Sequence, residues 1–225
     1  MNRVRFPVIR RCWISLGSNL EREASIRGGV EGLRQAFGPL ILSPVYETEA
    51  VGFDGSPFLN LVAGIETALR VGEIRALLRR IEAEHGRERS GELEGERAAE
   101  RADKRTGVRT SEQAGVRTSE RFAPRTLDLD LLTYGELAGE IDGYRLPRDE
   151  ILRYAFVLGP LADVAPDERH PIDGRCYAEL WRQLLVRLRD AHQAQLDSAP
   201  PPGSAGKSVS GWSPLRRIEL ALGAT

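Results

Sequence analysis

One stretch of the chain, Arg121–Leu132, alternates acidic and apolar residues in its second half. A β-strand there would send Asp128 and Asp130 to one face and the leucines between and beside them to the other, because side chains alternate along a strand. Two neighbouring carboxylates repel each other, so a positive group is expected between them, either an arginine or a divalent metal ion. Arg125 lies just before the pair. Basic groups for phosphate beside carboxylates for magnesium indicate phosphoryl transfer from a nucleotide.

The overall charge of the chain argues against some classes of partner. With 32 Lys+Arg against 33 Asp+Glu, the formal net charge of the 225 residues is −1, so no global field attracts nucleic acid or an anionic membrane. No apolar run approaches the roughly 18 residues that a membrane span requires. We therefore expect one domain with a sizeable core, no nucleic-acid or membrane partner, and phosphate binding that is local.

The cysteines and the N-terminal residues bear on the compartment. Cys12 and Cys176 have no second Cys and no His at ligand spacing, so we expect no zinc site and no disulfide framework, and we expect a cytoplasmic protein. Four arginines among the first eleven residues are compatible with a transit peptide, but no Ser-rich amphipathic helix follows, which favours a short basic extension. The sequence does not determine the oligomeric state, and a monomer is the working expectation.

The first part of the chain alternates strand and helix signals. Gly17–Asn19 offers a turn and a helix N-cap after the first strand, and Gly38-Pro39 is a stop signal after the first helix. Apolar residues that alternate with the period of a strand or a helix identify the elements themselves. These are a strand at Cys12–Leu16, a helix through Ile26 to Phe37, strands at Leu40–Tyr46 and Phe58–Thr67, and a helix at Val71–His85.

Residues 88–120 differ in composition from the rest of the chain. About half of them are charged and none is aromatic, so they cannot bury enough apolar area to offset the entropy of ordering them. The hexapeptide Gly-Val-Arg-Thr-Ser-Glu occurs at 107–112 and again at 115–120. We interpret 88–120 as a disordered or loosely helical insertion. The repeat is either a partner-binding device or a tandem duplication tolerated in a surface loop, and the second interpretation is favoured because long loops add little closure entropy.

The second part of the chain begins with the acidic strand and then becomes helical. A loop through Gly139 and Gly143 is expected to lead to Leu146. The predicted elements are a strand at Leu127–Tyr134, a short helix with an apolar run over Asp149–Leu161, a final helix at Cys176–Leu196, a Pro/Gly/Ser linker at Ser198–Ser213, and a tail at Leu215–Leu222 that either adds an edge strand or stays mobile.

The order of these elements, β-α-β-β-α-β followed by helices, is the split βαβ pattern. It predicts an α+β, ferredoxin-like sandwich with an antiparallel sheet and a helical C-terminal part. Residues 1–197 would form this domain, and 198–225 would be linker and tail. We expect the last strand to cross back into the middle of the sheet, which would place Asp128 and Asp130 centrally.

The acidic stretch reads Arg-Phe-Ala-Pro-Arg-Thr-Leu-Asp-Leu-Asp-Leu-Leu, and it is accompanied by collinear blocks at 14–20, 43–48, 58–60 and 156–161. Together these blocks resemble the 6-hydroxymethyl-7,8-dihydropterin pyrophosphokinases. That family has a ferredoxin-like fold and moves a pyrophosphoryl group from ATP to a pterin alcohol in folate biosynthesis. An Asp-x-Asp pair alone would not be specific, whereas the collinear set is.

The resemblance assigns roles by position. Asp128 and Asp130 would hold two magnesium ions that bridge the phosphates of ATP, the co-substrate. The pterin pocket would consist of Thr48, Val51, Phe58, Asn60, Phe122 and Phe156. Contacts to ATP or its phosphates would come from Glu82, Arg87, Arg89, Arg125, Leu131 and Arg148, with Arg87 and Arg125 as the catalytic residues. These residue types suit the ligands, since a flat bicyclic ring stacks on aromatics and its amide edge pairs with an asparagine.

The mechanism that the resemblance implies is in-line attack of the substrate hydroxyl on the β-phosphorus, with AMP as the leaving group. Three residues depart from the family pattern. Phe122 stands where many relatives carry Trp, and Arg148 stands where they usually carry His. Tyr154 stands where they carry Arg, with Arg153 displaced by one position. Such changes could tune the preference toward a related pterin alcohol.

Two alternatives stay open at this point. One is a catalytically impaired relative that binds a pterin or a partner through the insertion. The other is a different Asp-x-Asp nucleotide transferase, which a pocket too narrow for a pterin would favour. Gly203–Ser208 has too few residues between its glycines for a P-loop, and the histidines show no ligand pairing.

Overall fold

The computed structural model describes residues 8–49, 56–85, 126–198 and 215–223. The strands in these ranges are β1 (Arg10–Ser18), β2 (Ile41–Leu42), β3 (Val45–Thr48), β4 (Phe58–Thr67), β5 (Asp128–Tyr134), β6 (Gly139–Ile141), β7 (Tyr144–Leu146) and β8 (Arg216–Ile218). The helices are α1 (Arg22–Phe37), α2 (residues 71–85), α3 (Glu150–Arg153), α4 (Ala155–Val164) and α5 (Tyr177–Ser198).

The main sheet is antiparallel, with strand order β5-β1-β4-β3-β8, and β2 also pairs with β4. The order β5-β1-β4-β3 is the one that a split βαβ unit produces, with α1 and α2 as the connecting helices. The predicted ferredoxin-like α+β fold with a helical C-terminal part is therefore confirmed. Strands β6 and β7 form a separate hairpin.

The predicted central position of the acidic strand is wrong. In the part of the chain that the structure describes, β5 pairs with β1 alone and lies at the end of the sheet. The reason is that β4 pairs with the whole length of β1, from Arg10↔Thr67 to Ser18↔Leu59, so only the other edge of β1 is open to β5. The two aspartates thus lie on an edge strand.

Apolar side chains on both faces of the sheet build two cores. Leu127, Leu129 and Leu131 are buried with α1 and α2 on one face, as the alternating pattern predicts. On the other face, Trp13, Val62 and Leu132 pack against α4 and α5. The sheet is therefore covered on both faces, and Asp128 and Asp130 point to the α4 side.

Two predicted elements have different bounds in the structure. The expected single strand at Leu40–Tyr46 is divided at Ser43-Pro44 into β2 and β3. Ser43 pairs with Val62 through both its main chain and its side chain: its N–H donates to the Val62 carbonyl and its Oγ accepts from the Val62 N–H, each at 2.9 Å. Helix α1 begins after Glu21, which is left-handed at φ 42°, so the expected cap within Gly17–Asn19 is wrong.

The expected loop through Gly139 and Gly143 is instead the β6–β7 hairpin. Its turn residues Asp142 and Gly143 have φ of 50° and 73°, which matches an Asp-Gly turn between antiparallel strands. The Asp142 carboxylate accepts the Gly72 N–H at 3.1 Å and pairs with Arg70 at 2.8 Å. These contacts fix the hairpin to the start of α2.

The tail adds an edge strand, which is one of the two outcomes left open by the sequence. Strand β8 pairs antiparallel with β3. The insertion 88–120 and most of the linker lie outside the described residues. Among the helices that are described, none is long and apolar enough to cross a membrane.

Lowering the pH should destabilise this fold through His170. His170 is 3% exposed, and its Nδ1 accepts the N–H groups of Ile172 and Asp173 at 3.3 and 3.1 Å, so that nitrogen carries no proton. Burial lowers the pKa of His170 below 6.5, against the opposing charges of Asp173 and Asp149. The unfolded chain therefore binds a proton at His170 more readily than the folded chain does. The contribution of neutral His170 to the free energy of unfolding is full above about pH 6.5, and it is lost as the pH falls through the pKa of His170 in the folded protein.

Urea unfolding of wild type and His170→Asn between about pH 8 and pH 5 measures this effect. The asparagine retains an acceptor but does not titrate. The urea concentration at the unfolding midpoint should therefore fall less on acidification for His170→Asn than for wild type. Equal falls for the two proteins would contradict the assignment.

Candidate active site

Asp128 and Asp130 open into a cavity of about 300 Å³ at one end of the sheet. Strands β1, β4 and β5 form its floor, and the segment from β7 to α4 forms its wall. The lining residues are Ser15, Leu16, Gly17, Asn60, Asp128, Asp130, Leu132, Arg148, Glu150, Tyr154, Phe156 and Val157. This volume lies at the lower end of the range for ligand pockets.

Asp130 is held by groups that follow β5 in the chain. The Tyr144 hydroxyl donates to Asp130 Oδ1 at 3.4 Å, and Arg148 Nη2 lies 3.6 Å from the same oxygen. The positive group expected beside the carboxylates is therefore Arg148. Between the two aspartates, the Leu129 N–H donates to Glu82 Oε1 at 2.7 Å, which ties the edge strand to α2.

Arg148 combines a fixed position with an unused donor. Its Nη2 pairs with Glu150 Oε1 at 3.0 Å, whereas its buried Nε has no hydrogen-bond partner among the described residues. Burial acts to lower the pKa of Arg148, but the charges of Asp130 and its neighbours outweigh burial and the net pKa is raised. A buried N–H without a partner is costly, so this guanidinium is suited to receive an anion.

Tyr144 was not identified from the sequence as a site residue. The Arg75 guanidinium carbon lies 3.6 Å from the centroid of its ring, and that of Arg148 lies 5.3 Å from it. Burial first, and then the charge of Asp130, raise the pKa of Tyr144, so its hydroxyl remains a donor. The Asp-Gly turn at 142–143 was the available signal, because a hairpin there brings Tyr144 beside Asp130.

Asn60 and Thr48 form a buried polar pair at the other side of the cavity. Asn60 Nδ2 donates to Thr48 Oγ1 at 2.8 Å, and the two residues are 6% and 8% exposed. Gly17 lies opposite Asn60 in the β1–β4 register, and a Cβ there would be 3.3 Å from Asn60 Oδ1. Among the described residues, the only side-chain partner recorded for the Asn60 amide is Thr48, and an amide has further donor and acceptor capacity beyond that one bond.

Phe156 presents an aromatic face at the start of α4. Its ring stacks on Tyr154 with centroids 5.0 Å apart and planes at 15°. Arg153, the residue before Tyr154, is exposed, and its Nη2 lies 3.9 Å from Asp149 Oδ2. Tyr154, which stands where the resemblance leads us to expect an arginine, thus contributes a second aromatic ring to the cavity wall.

The structure brings most of the predicted residues that it describes to one place. Asn60, Asp128, Asp130, Arg148 and Phe156 line the cavity. Thr48 accepts a hydrogen bond from Asn60, and Phe58 on β4 lies opposite Thr48 on β3. The predictions for Val51, Arg87, Arg89, Phe122 and Arg125 lie outside the described residues.

Two predicted ATP contacts have other surroundings. The Leu131 side chain is 1% exposed in the core on the α1–α2 face, so the predicted contact with ATP would have to come from its main chain. Glu82 accepts the Leu129 N–H, so its visible role is to support β5.

A larger cavity of about 780 Å³ lies at the opposite end of the same strands. Three of its charged residues pair with one another: Arg11 contacts Glu66 at 2.6 Å and Glu168 at 3.4 Å. It does not contain the aspartate pair. The smaller cavity is therefore the candidate active site, since it holds both carboxylates together with Arg148.

The two carboxylates are a donor set that fits magnesium. In the part of the chain that is described, no three His, Cys, Asp or Glu side chains cluster as ligands. Magnesium is commonly bound through one or two carboxylates together with water and substrate phosphates, which matches Asp128 and Asp130.

Fold and site together define a metal- and nucleotide-dependent transferase on a ferredoxin-like scaffold. The family described as 7,8-dihydro-6-hydroxymethylpterin-pyrophosphokinase matches residues 13–106 and 100–166. The chain is 33% identical over 180 residues to 2-amino-4-hydroxy-6-hydroxymethyldihydropteridine pyrophosphokinase of Pseudomonas aeruginosa, covering 77% of this chain and 91% of the relative. It is 31% identical over 156 residues to the protein of the same name from Bacillus subtilis, and the match covers 68% of this chain and 76% of the relative.

The chain belongs to the 7,8-dihydro-6-hydroxymethylpterin-pyrophosphokinase family. It is a diphosphotransferase that moves pyrophosphate from ATP to the hydroxymethyl group of 6-hydroxymethyl-7,8-dihydropterin in folate biosynthesis.

Solved structures agree on the fold. The HPPK-DHPS chain of Plasmodium falciparum with pteroate superposes with a TM-score of 0.56 at 10% identity, covering 84% of this chain. The wild-type HPPK-DHPS structure of the same organism superposes with a TM-score of 0.53 at 11% sequence identity. This chain spans about half of those chains, 47% and 46%, and at such identity the likeness concerns the fold alone.

Replacing Gly17 by alanine should weaken pterin binding without affecting ATP. The new methyl group would press on Asn60 Oδ1 and turn the amide, and one disturbed buried hydrogen bond corresponds to roughly a five- to tenfold rise in KM for the pterin. Steady-state kinetics with each substrate varied in turn measure it. Gly72→Ala is the matched control, because its Cβ would approach no atom closer than 3.6 Å. Equal KM values for Gly17→Ala and wild type would contradict the role given to Asn60.

Proposed function

We propose that the cavity between β5 and α4 is the site of pyrophosphoryl transfer, with its two ends divided between the substrates. The Asp128 and Asp130 carboxylates with Arg148 take the phosphates, and Asn60, Thr48 and Phe156 take the pterin. The observation that carries this proposal is that the aspartate pair, the Asn60 amide, and an arginine whose buried Nε has no partner among the described residues all line one cavity.

The chain's own residues perform binding and orientation. Asn60 fixes the edge of the pterin and Phe156 its plane, which directs the hydroxymethyl group toward the carboxylate end. Arg148 offers its donor to the phosphates and offsets the charge of Asp130 when ATP is absent. Tyr144 holds Asp130 in orientation. When bound by Asp128 and Asp130, two magnesium ions would neutralise the negative charge of the phosphate oxygens.

In the transfer, the pterin hydroxyl oxygen forms a bond to the β-phosphorus while the bond from that phosphorus to the α-phosphate bridging oxygen breaks. AMP leaves with the bonding electron pair, and the hydroxyl proton passes to solvent. A loose transition state places little demand on a strong base, and we assign none. By the family resemblance, Arg87 and Arg125 act as catalytic residues on the phosphates, Arg89 and the Leu131 main chain contact ATP, and Val51, Phe58 and Phe122 complete the pterin pocket.

The setting of the reaction is also proposed. We place the enzyme in the cytoplasm as a monomer without a nucleic-acid partner, with 1–197 as the catalytic domain. The net charge of −1 and the two free cysteines, Cys12 and Cys176, support this setting.

Neutralising either aspartate should abolish turnover while leaving the fold intact. For Asp128→Asn and Asp130→Asn we expect AMP release from ATP and 6-hydroxymethyl-7,8-dihydropterin to fall by about 10²-fold or more, because each removes a magnesium ligand charge. Thermal unfolding should stay near that of wild type, since both carboxylates are partly exposed. Asp190→Asn, an exposed change on α5, is the control. Wild-type rates in either aspartate variant would refute the metal assignment.

Arg148 should contribute to ATP binding and not to pterin binding. Arg148→Lys keeps the charge but loses the planar donor fork, so we expect the KM for ATP to rise about tenfold with little change in the KM for the pterin. Arg145→Lys, at an exposed residue of β7 three positions before Arg148, is the matched control. An unchanged ATP KM in Arg148→Lys would show that its free N–H does not meet the nucleotide.

A further inference from the structure

Residues 215–223, which we call the C-terminal strap, lie along the edge of the sheet next to the pterin end of the site. Strand β8 pairs with β3 in the register Val45↔Ile218, Tyr46↔Arg217 and Glu47↔Arg216. On its other side β3 pairs with β4, the strand that carries Asn60. Only β3 therefore separates the strap from the strand that holds the Asn60 amide.

The strap is anchored to both helical layers. Leu215 packs so closely on α4 that a Cβ at Gly159 would lie 2.5 Å from its Cδ1. On the opposite face, Ile218, Leu220 and Leu222 pack against the core between the sheet and α1. Helix α1 also holds the end of the strap, because Arg34 Nη1 donates to the Leu222 carbonyl at 2.6 Å and Arg27 Nε to the Ala221 carbonyl at 3.1 Å. These contacts give the strap a defined position.

Glu47 links the strap to the start of β4. One oxygen of its carboxylate pairs with Arg216, and the other lies 2.7 Å from Arg22 Nη2. Arg22 in turn donates from Nη1 to the Pro57 carbonyl at 3.1 Å, directly before Phe58. The Glu47 side chain is 15% exposed, so water screens these contacts only in part. Arg216, Glu47 and Arg22 thus join the end of β3 to the beginning of β4.

The residue after Glu47 belongs to the substrate site. Glu47 faces α1, and Thr48, the next residue on the strand, faces the other side of the sheet, where its Oγ1 accepts from Asn60. Any displacement of Glu47 moves Thr48, and with it the partner that orients the Asn60 amide. The phosphate end of the site is separate, because β1 and β4 lie between β3 and β5.

We propose that the C-terminal strap is a positioning element for the pterin end of the site, and that Arg216 acts through Glu47 on Thr48 and Asn60. This inference rests on the pterin role proposed for Thr48 and Asn60. It predicts an asymmetric effect: the strap governs the affinity for the pterin and leaves ATP binding and the transfer step unchanged.

The first test is Arg216→Ala in the full chain. A partly exposed ion pair is worth up to about 1 kcal/mol, so the KM for the pterin should rise about three- to fivefold with kcat and the KM for ATP unchanged. Arg216→Lys, which restores the charge, should recover most of the loss. Arg217→Ala is the matched control, since it removes the same charge from the neighbouring residue on the opposite face of β8. An equal effect of Arg217→Ala would overturn the inference.

The second test detaches the strap with Ile218→Asp and Leu220→Asp together, because burying a charge at either position is unfavourable. We expect the KM for the pterin, and its Kd measured with a non-hydrolysable ATP analogue and magnesium, to rise at least about tenfold. Hydrogen exchange at β3 reports the detachment. Should this variant fail to fold, Arg216→Ala still decides the question.

Wild-type AMP release, measured first, separates the two proposals. If wild type releases no AMP in the presence of the pterin, the proposed function fails. If wild type is active but Arg216→Ala retains the wild-type pterin KM and Kd, the positioning inference alone is overturned.

Discussion

Two like charges must share one face of β5, and the burial of the opposite face makes this arrangement stable. Asp128 and Asp130 are separated by about 7 Å along the strand, and at that distance near a protein surface their repulsion amounts to about 2 kcal/mol. Burial of Leu127, Leu129 and Leu131 contributes about 1.5–3 kcal/mol each. Burial therefore prevails, and it holds the carboxylates at the cavity. Their repulsion becomes useful, because it favours the binding of cations.

The edge position of β5 creates a second requirement. A strand at the end of a sheet has main-chain groups without a strand partner, and such an edge invites unwanted pairing. Here α2 supplies Glu82 to the Leu129 N–H, and the β6–β7 hairpin brings Tyr144 and the residues before Arg148 against the strand. The Arg148 N–H itself donates to the Leu132 carbonyl at 2.9 Å. The contacts that protect the edge are thus the ones that orient Asp130 and its arginine.

The end of the site that we propose for the pterin depends on close packing rather than on charge. Gly17 lets the Asn60 amide approach β1, and Thr48 orients that amide from the neighbouring strand. Strand β1 lies between β5, which carries the carboxylates, and β4, which carries Asn60, and it pairs with β4 along its whole length. This rigid pair keeps a fixed separation between the carboxylates and the Asn60 amide, as in-line transfer between two substrates requires.

The amino-acid sequence by itself determined the local features. The alternation at 127–132 predicted which face of β5 is acidic, the order of elements predicted the ferredoxin-like fold, and collinear blocks indicated the family. Tertiary structure decided what depends on distant contacts: that β5 takes the edge beside β1, that Tyr144 and Arg148 meet Asp130, and that β8 joins β3. Alternation is a property of one strand, whereas the choice of a neighbouring strand depends on which edges other segments have already covered. For that reason the acidic pair could be read from the sequence, and its partners could not.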